Sequence, residues 1–499
     1  MGSLSAPAEP VCVEELYAVS DLHLGGPPGH QIFNQGNRLA ALVDQLRSRP
    51  RHRQVALVLN GDIVDFLAEE GAAYLSPDRA VPMLERIFRD PAFAPVWQAL
   101  GRFVKTPGRL LVLVLGNHDV ELALPRVQQR LLGELCGEDA AARARVRLAM
   151  DGGGFVARVG QAQVFCTHGN EVDPWNWVDH EALAQLQQAQ AEGQPPPPWE
   201  PNAGTQLVVD VINEIKRRHP FVELLKPETK VVPQLLLALD PGSLPSLRSF
   251  GSILYRRARG TLRTGFLGGE EDSLQRAQQQ EEYLRDLLVP HWREAPPVAG
   301  EDALLRQMEA DFQAGLRPSQ LVTGPAEQSL LGLGQYLWDQ LTGQRSQAEA
   351  LRLALRDWLA GDRSFSITEP DETYRRLDDR LPAEHDFVLA GHTHLVRALR
   401  RRRGGGVYYN SGTWIRLIRL TDELLGSAEA FAPVYAALTA GTLEALDRTP
   451  GLVLLRPTVV RILQEGQATV GEVVRVEVDR RGKVTLQPEP HSRFIRLRS

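Results

Sequence analysis

The sequence predicts an α/β fold, and three observations carry that prediction. Short apolar runs alternate with amphipathic helical patterns over residues 14–173. Apolar runs of this kind repeatedly end on a small cluster of Asp, His or Asn. The same unit returns near residues 385–412, after a long stretch of helical pattern. The clusters are Asp21-Leu22-His23, Gly61-Asp62, Gly116-Asn117-His118-Asp119, Thr167-His168-Gly169, Gly391-His392-Thr393-His394 and Asn410-Ser411-Gly412.

In chain order, residues 16–20, 55–60 and 110–115 are Leu-rich or β-branched and nearly free of charge, as expected of strands covered on both faces. Between the first two, 37–49 reads as a helix with Leu39, Leu42, Val43 and Leu46 on one side. Residues 162–167 form a further strand. After Pro174 the pattern turns helical: 205–219, 272–289, 301–314 and 345–360 are helix candidates, and 195–198 is a four-proline break. Strands resume at 385–390 and 407–410. Residues 400–403, all Arg, precede three glycines and read as a solvated basic hairpin tip. Residues 422–447 read as a shorter helical insert. Strands at 458–463, 473–478 and 483–487 follow, the last two joined by a turn at 479–482. The expected organisation is a core over 14–173, a mostly helical insertion and candidate cap over 174–380, core again over 381–421, a short insertion over 422–447, and completing strands over 448–490.

Composition narrows the function. The chain has 499 residues and a formal net charge of −6, so no global basic field draws long nucleic acid. Five Lys against 56 basic residues in all is an Arg bias that fits a GC-rich, bacterial genome. Cys12, Cys136 and Cys166 are too few and too scattered for a disulfide framework or a zinc knuckle. The first twenty residues lack a basic-then-apolar leader, and no run approaches the roughly 18–20 apolar residues that span a bilayer. The expected location is cytoplasmic, with contact at the inner membrane face left open.

The clusters themselves carry chemistry. In an open α/β sheet, ligands bind beyond the carboxyl ends of the strands, so loops far apart in sequence meet at one edge. Asp, His and Asn without Cys suit Mn²⁺, Fe, Zn²⁺ or Co²⁺. Seven such ligands are too many for one ion with open positions and suit two ions sharing a carboxylate, with Asp62 the natural bridge. Each piece alone is common: Asp-x-His recurs by chance, Gly-Asp is usually a turn, and Asn-His-Asp can cap a helix. Their joint appearance, each after an apolar run, is what points to a metal site.

The set SDLH, GDIVD, GNHD, THGN and GHTH resembles, in order, the motifs of the calcineurin-like metallophosphoesterase superfamily. The resemblance covers about 14–173 and 383–420. It implies a four-layer fold, two mixed β-sheets packed together and flanked by helices, here with a large helical insertion. It implies two divalent ions, Mn²⁺ foremost. Asp21, His23, Asp62 and His394 would hold the first; Asp62, Asn117, His168 and His392 the second. A hydroxide bridging the ions would attack phosphorus. His118 would assist the leaving oxygen, Asp119 would orient His118, and Asp65 would support the ligands.

Substrate choice stays open at this level. Arg38, opening the helix after the first loop, is a candidate phosphate contact, and Trp175 a candidate wall of the substrate cleft. The expected substrate is a phosphorylated small molecule or a lipid-linked one. SDLHL followed by GDIVDF is similar to the UDP-2,3-diacylglucosamine pyrophosphohydrolases, although those commonly carry Arg where this chain has His118. The same motifs would also serve a nuclease, and the same fold can serve as a metal-free protein-binding scaffold. Residues 244–266, with five Arg and no acidic residue, read either as a core-packed helix or as a membrane-surface helix.

Overall fold

Glu14 separates two strands that join different sheets. β1 (Val11–Val13) pairs with β6 (Phe155–Val159), whereas β2 (Glu15–Val19) pairs in parallel with β3 (Val55–Asn60). The structure, a computed structural model, describes residues 10–195, 197–226, 235, 239 and 346–497. The helices expected over 272–289 and 301–314 and the basic stretch 244–266 lie outside the described residues.

β2 and β3 continue in parallel through β4 (Arg109–Val114) to β5 (Val146–Ala149). Their apolar sequences follow from burial on both faces: every residue of β2 and β3 is buried. The second sheet runs β1, β6, β7 (Ala162–Cys166), β8 (Phe387–Ala390), then β10 (Val407–Ser411) and β9 (Val396–Arg400) at the edge. β7 pairs β8 in parallel although more than two hundred residues separate them in sequence, as Val164 opposite Phe387 illustrates. This pairing carries the late ligand loops to the early ones.

β11 (Leu417–Ile418) and β12 (Val453–Leu454) form a small separate ladder. β13 (Thr458–Glu465), β14 (Ala468–Val478) and β15 (Val484–Pro488) then extend the first sheet antiparallel from β2, and β16 (Phe494–Leu497) also pairs with β14. The turn expected at 479–482 joins β14 to β15, with Asp479 N–H on the Lys483 carbonyl. β1, β5, β6, β9, β11, β12 and β16 have no counterpart among the expected strands.

The two sheets pack face to face. Leu16, Val58 and Val112 of one meet Val164, Leu389 and Tyr409 of the other in one core cluster. Helices α1 (Gly36–Arg47), α2 (Ala80–Arg89), α3 (Ala94–Val104) and α4 (Pro125–Cys136) follow the crossovers of the first sheet. α1 buries Leu39, Leu42, Val43 and Leu46, the expected stripe, and packs on α3, which packs on β4. The helix Glu372–Arg380 covers the other sheet through Tyr374 and Leu377 against Val388 and Tyr408. The order is therefore helix, sheet, sheet, helix.

The chain divides into two compact units. The first comprises Met1–Asn213, Arg363–Arg416 and Leu455–Ser499 and contains both large sheets. The second comprises Glu214–Asp362 and Leu417–Leu454; its described part includes helix Gln347–Trp358, helices Asp422–Leu425, Ala428–Ala440 and Leu443–Arg448, and the β11–β12 ladder. The helix expected over 205–219 is interrupted. Helix Ala203–Leu207 passes through a π turn, Val208–Ile212, before Asn213–Arg218. The β-branched side chains of Val208, Val209 and Ile212 crowd an ordinary helical turn.

At the arginine hairpin tip one residue differs from expectation. β9 and β10 form the hairpin, but Arg401 is buried and its Nε donates to Asp378 Oδ1 at 3.0 Å. Arg402 donates to Asp378 and Asp379, and the Arg400 guanidinium sits over the Phe494 ring. Helix Glu372–Arg380 neutralises Arg401, the one arginine of the four that is packed into the fold; Arg400, Arg402 and Arg403 are exposed, as expected of a solvated tip.

Candidate metal centre

Each ligand candidate sits two to four residues beyond a strand, where the backbone turns sharply. Among the described residues six non-glycine positions have positive φ, and five of them are Asp21, His23, Asp62, His392 and His394. Such backbone costs about 1–3 kcal/mol per residue and persists where the surroundings enforce it. The enforcement is visible. Asp21 N–H donates to the Gly61 carbonyl at 3.1 Å and His23 N–H to the Asp62 carbonyl at 2.9 Å, so the first two loops ride on each other. Gly391 N–H donates to the His168 carbonyl at 2.8 Å. Asn60 Nδ2 reaches across the sheets to the Thr167 carbonyl at 2.8 Å and the Leu389 carbonyl at 3.2 Å. Gly61 must be glycine: its φ is +84°, and a Cβ there would stand 2.2 Å from His168 Nδ1.

The loops bring together three groups whose ligand atoms lie within 4.8 Å of one another: Asp21, His23 and His394; His23, Asp62 and His118; and Asp62, His168 and His392. Asp62 and His23 each belong to two groups. Across the cluster, His394 Nε2 lies 3.4 Å from Asp21 Oδ1, His168 Nε2 3.2 Å from Asp62 Oδ2, and His23 Nε2 3.1 Å from His394 Nε2. Asn117 follows β4 by way of Leu115 and Gly116 and is buried. Asp62 Oδ1 accepts the His118 N–H at 2.9 Å.

The donor set fits a divalent ion. His168 Nδ1 faces the Asn60 carbonyl at 2.9 Å, which places one proton there and makes Nε2 the nitrogen that offers a lone pair once an ion displaces its proton. That Nε2 is fully buried and makes no hydrogen bond, and the same holds for Asn117 Oδ1. A buried acceptor without a donor is costly, and a cation satisfies both. His23 is fixed in the same manner, its Nδ1 on Asp65 Oδ2 at 3.1 Å.

Residues 15–218 match the family model of the calcineurin-like phosphoesterases. The chain carries a calcineurin-like phosphoesterase domain. The match takes in Asp21, His23, Asp62, Asn117, His118 and His168, and its sheet brings in His392 and His394 from beyond the matched residues. The two mixed sheets between helical layers are the fold class the resemblance implies. None of the curated proteins matches the chain. The family match and the His/Asp groups together support a metal-dependent phosphoesterase that acts on a small phosphorylated substrate.

Electrostatics of the phosphoesterase domain favour positive charge at the cluster. Burial pushes the Asp62 carboxyl up, but the imidazoles around it, His168 foremost, hold it well below the usual carboxylate range. Burial opposes the charged form of His168, yet Asp62 raises it to about 10. Asp21 is raised, by burial and by Asp62. Two carboxylates in a dry site call for cations, and divalent ions meet that demand.

Asp119 does not have the place expected of it. Its Oδ2 accepts Ile63 N–H at 2.8 Å and its Oδ1 accepts Gly116 N–H at 2.7 Å. It ties the Asp62 loop to the Asn117 loop, and burial together with Asp62 lifts its carboxyl to about 7. Asp65 is the residue that meets His118, Oδ1 to Nδ1 at 3.2 Å. The reason is geometric: the residue after His118 turns inward under the strand ends, whereas Asp65 stands beside both His23 and His118. The loop at 410–414 braces the site. Asn410 Nδ2 donates to the Gly391 carbonyl at 2.6 Å, and Thr413 Oγ1 to the Asp21 carbonyl at 2.6 Å.

Arg38 lies half-buried in the first turn of α1 and makes no ion pair or side-chain hydrogen bond among the described residues. Trp175 is half-buried in the loop after His168, its N–H on Asp173 Oδ1 at 2.9 Å and its carbonyl accepting Gly204 N–H at 2.8 Å. That loop also holds two residues that sequence reasoning misses. Asp173 Oδ2 lies 2.8 Å from His392 Nε2, and Asn176 Oδ1 accepts from Asn117 Nδ2 at 3.4 Å. The signal is thin: Asp173-Pro174-Trp175-Asn176 has the composition of an ordinary turn.

Proposed function

We propose that this chain hydrolyses a phosphate ester or phosphoanhydride at a dinuclear metal centre. Asp21, His23, Asp62 and His394 would hold one ion, and Asp62, Asn117, His168 and His392 the other. Mn²⁺ is the proposed resident ion. The observation that carries this reading is Asp62, which belongs to two ligand groups and lies beside buried nitrogen and oxygen atoms that lack hydrogen-bond donors. When bound, two divalent cations supply an activated water and offset negative charge on phosphoryl oxygens.

The chain's own residues do the rest. Asp65 and the Asn60 carbonyl set the proton positions on His23 and His168, so that Nε2 of each faces the centre. His118 is the more exposed imidazole, 18% against 0% for His168, and stands at the solvent side where a substrate arrives. With Nδ1 on Asp65, its Nε2 is the nitrogen that donates a hydrogen bond or proton to the leaving oxygen. The rim formed by His118, His392 and His394 receives the phosphoryl group, and the buried floor formed by Asp62 and His168 excludes bulk water. A core interrupted by insertions is part of this proposal, with helix Glu372–Arg380 counted to the core whose sheet it covers, as is a lipid-linked or soluble phosphorylated substrate.

Hydrolysis of bis-p-nitrophenyl phosphate and p-nitrophenyl phosphate in Mn²⁺ tests the reading. Asp62→Asn is expected to lower turnover by at least about a thousandfold, since it weakens both ion sites. His118→Asn is expected to lower it about 10²–10⁴-fold with both ions retained. Full activity in Asp62→Asn would sink the dinuclear reading.

A further inference from the structure

Two of the proposed ligands of the second ion are joined by a hydrogen-bonded path outside the centre. His392 Nε2 meets Asp173 Oδ2 at 2.8 Å. The same Oδ2 accepts from Asn176 Nδ2 at 2.7 Å. Asn176 Oδ1 accepts from Asn117 Nδ2 at 3.4 Å. The path therefore runs His392, Asp173, Asn176, Asn117. Its consequence for Asn117 is directional: an amide that donates through Nδ2 away from the centre turns Oδ1 towards it, and that Oδ1 is buried with no hydrogen-bond partner. For His392, the carboxylate fixes the ring plane and engages Nε2, so a metal contact from this ring falls to Nδ1.

The loop that carries this path is itself held. Asn170 Nδ2 donates to the Asn176 carbonyl at 3.1 Å, and Asp173 Oδ1 accepts Trp175 N–H at 2.9 Å. Gly204 seals it from outside: its N–H donates to the Trp175 carbonyl at 2.8 Å, and a Cβ at Gly204 would stand 2.0 Å from Asn176 Oδ1. Only a glycine lets helix Ala203–Leu207 approach Asn176 this closely.

We infer that Asp173 and Asn176 are positioning residues that set the second ion's affinity by jointly fixing His392 and Asn117. The inference rests on the dinuclear reading above and deepens it. The first ion's proposed ligands take no part in the path. His23 is held by Asp65, and Asp21 accepts the backbone N–H of His392 and offers its carbonyl to Thr413, contacts that run through neither the His392 ring nor the Asp173 side chain.

The test is Mn²⁺ binding to the metal-free full chain by calorimetry, with electron paramagnetic resonance reporting whether bound ions are coupled. Wild type is expected to bind two ions with a coupled spectrum. Asp173→Ala and Asn176→Ala are each expected to weaken one binding step about 10–100-fold, leave the other unchanged, and give an uncoupled spectrum at one equivalent. Asp173→Asn, which keeps the shape and an acceptor oxygen, is expected to recover part of the loss. Gly204→Ala touches no proposed ligand and is expected to produce the same one-step loss by displacing Asn176. Folding of each variant is checked by circular dichroism. Two unchanged binding steps in folded Asp173→Ala and Asn176→Ala, or equal weakening of both steps, would overturn the positioning role while leaving the dinuclear centre standing. A wild-type chain that binds fewer than two ions would overturn both.

Discussion

Gly61 shows how much of the centre rests on single atoms. It leads directly into Asp62 and lies against His168, two proposed ligands of one ion. Gly61→Ala would drive a methyl group to 2.2 Å from His168 Nδ1 in a backbone conformation with φ +84° that alanine resists. The expected cost is about 2 kcal/mol or more of stability, read by chemical denaturation, together with loss of the ion that His168 serves, read by metal analysis. Stability within about 0.5 kcal/mol of wild type would mean that the loop relaxes freely. At this scale the sequence is most legible for residues inside its short motifs. Asp21, His23, Asp62, His168, His392 and His394 all stand out there, and the structure brings them together. Asp173 and Asn176 do not, because their meaning lies in distance. Each is an ordinary turn residue until the chain places it beside His392 or Asn117.

Among the elements, the arginine hairpin gives the clearest contrast between pattern and packing. Four consecutive arginines look solvated in sequence. In the fold Arg401 and Asp378 are each about 1% exposed in the side chain and face each other at 3.0 Å, and Asp378 also takes Arg402. Removing one partner leaves the other charge buried, which costs about 3–5 kcal/mol. Asp378→Ala is therefore expected to destabilise the domain by that amount in a urea titration, and the Asp378→Ala, Arg401→Ala double variant by less than the sum of the singles. Additivity would show that the pair does not interact. Strands at 55–60 and 407–410 are legible because both their faces are apolar. β5, with Arg147 exposed at the sheet edge, and β9, whose Arg397 points its charge into the fold, lack that signature and escape the sequence pattern.

For the whole molecule, metal and fold should be linked. A ligand that binds only the folded state stabilises it by RT ln(1 + [L]/Kd), about 2.7 kcal/mol at a hundred times Kd for one site. Chelation of the wild-type chain is expected to lower the midpoint of its first thermal transition by several degrees, and Mn²⁺ to restore it. Asp62→Asn should show little of either response. An identical midpoint with and without chelator in wild type would count against a cation held by the core. The fold class is legible at this scale because apolar runs and helical stripes alternate over the first 170 residues. The pairing of β7 with β8 is not, since no local pattern records which distant strand lies alongside.

The left-handed backbone at Asp21, His23, Asp62, His392 and His394 bears on how such a chain can change. Glycine fits these positions without strain, so a drift to glycine would relax the backbone while deleting a ligand. Selection for stability alone would erode the centre one residue at a time. An intact set of side chains at all five positions is therefore the signature of a chain still held to its chemistry, and a stabilised descendant with glycine at several of them would be an enzyme on its way to becoming a scaffold.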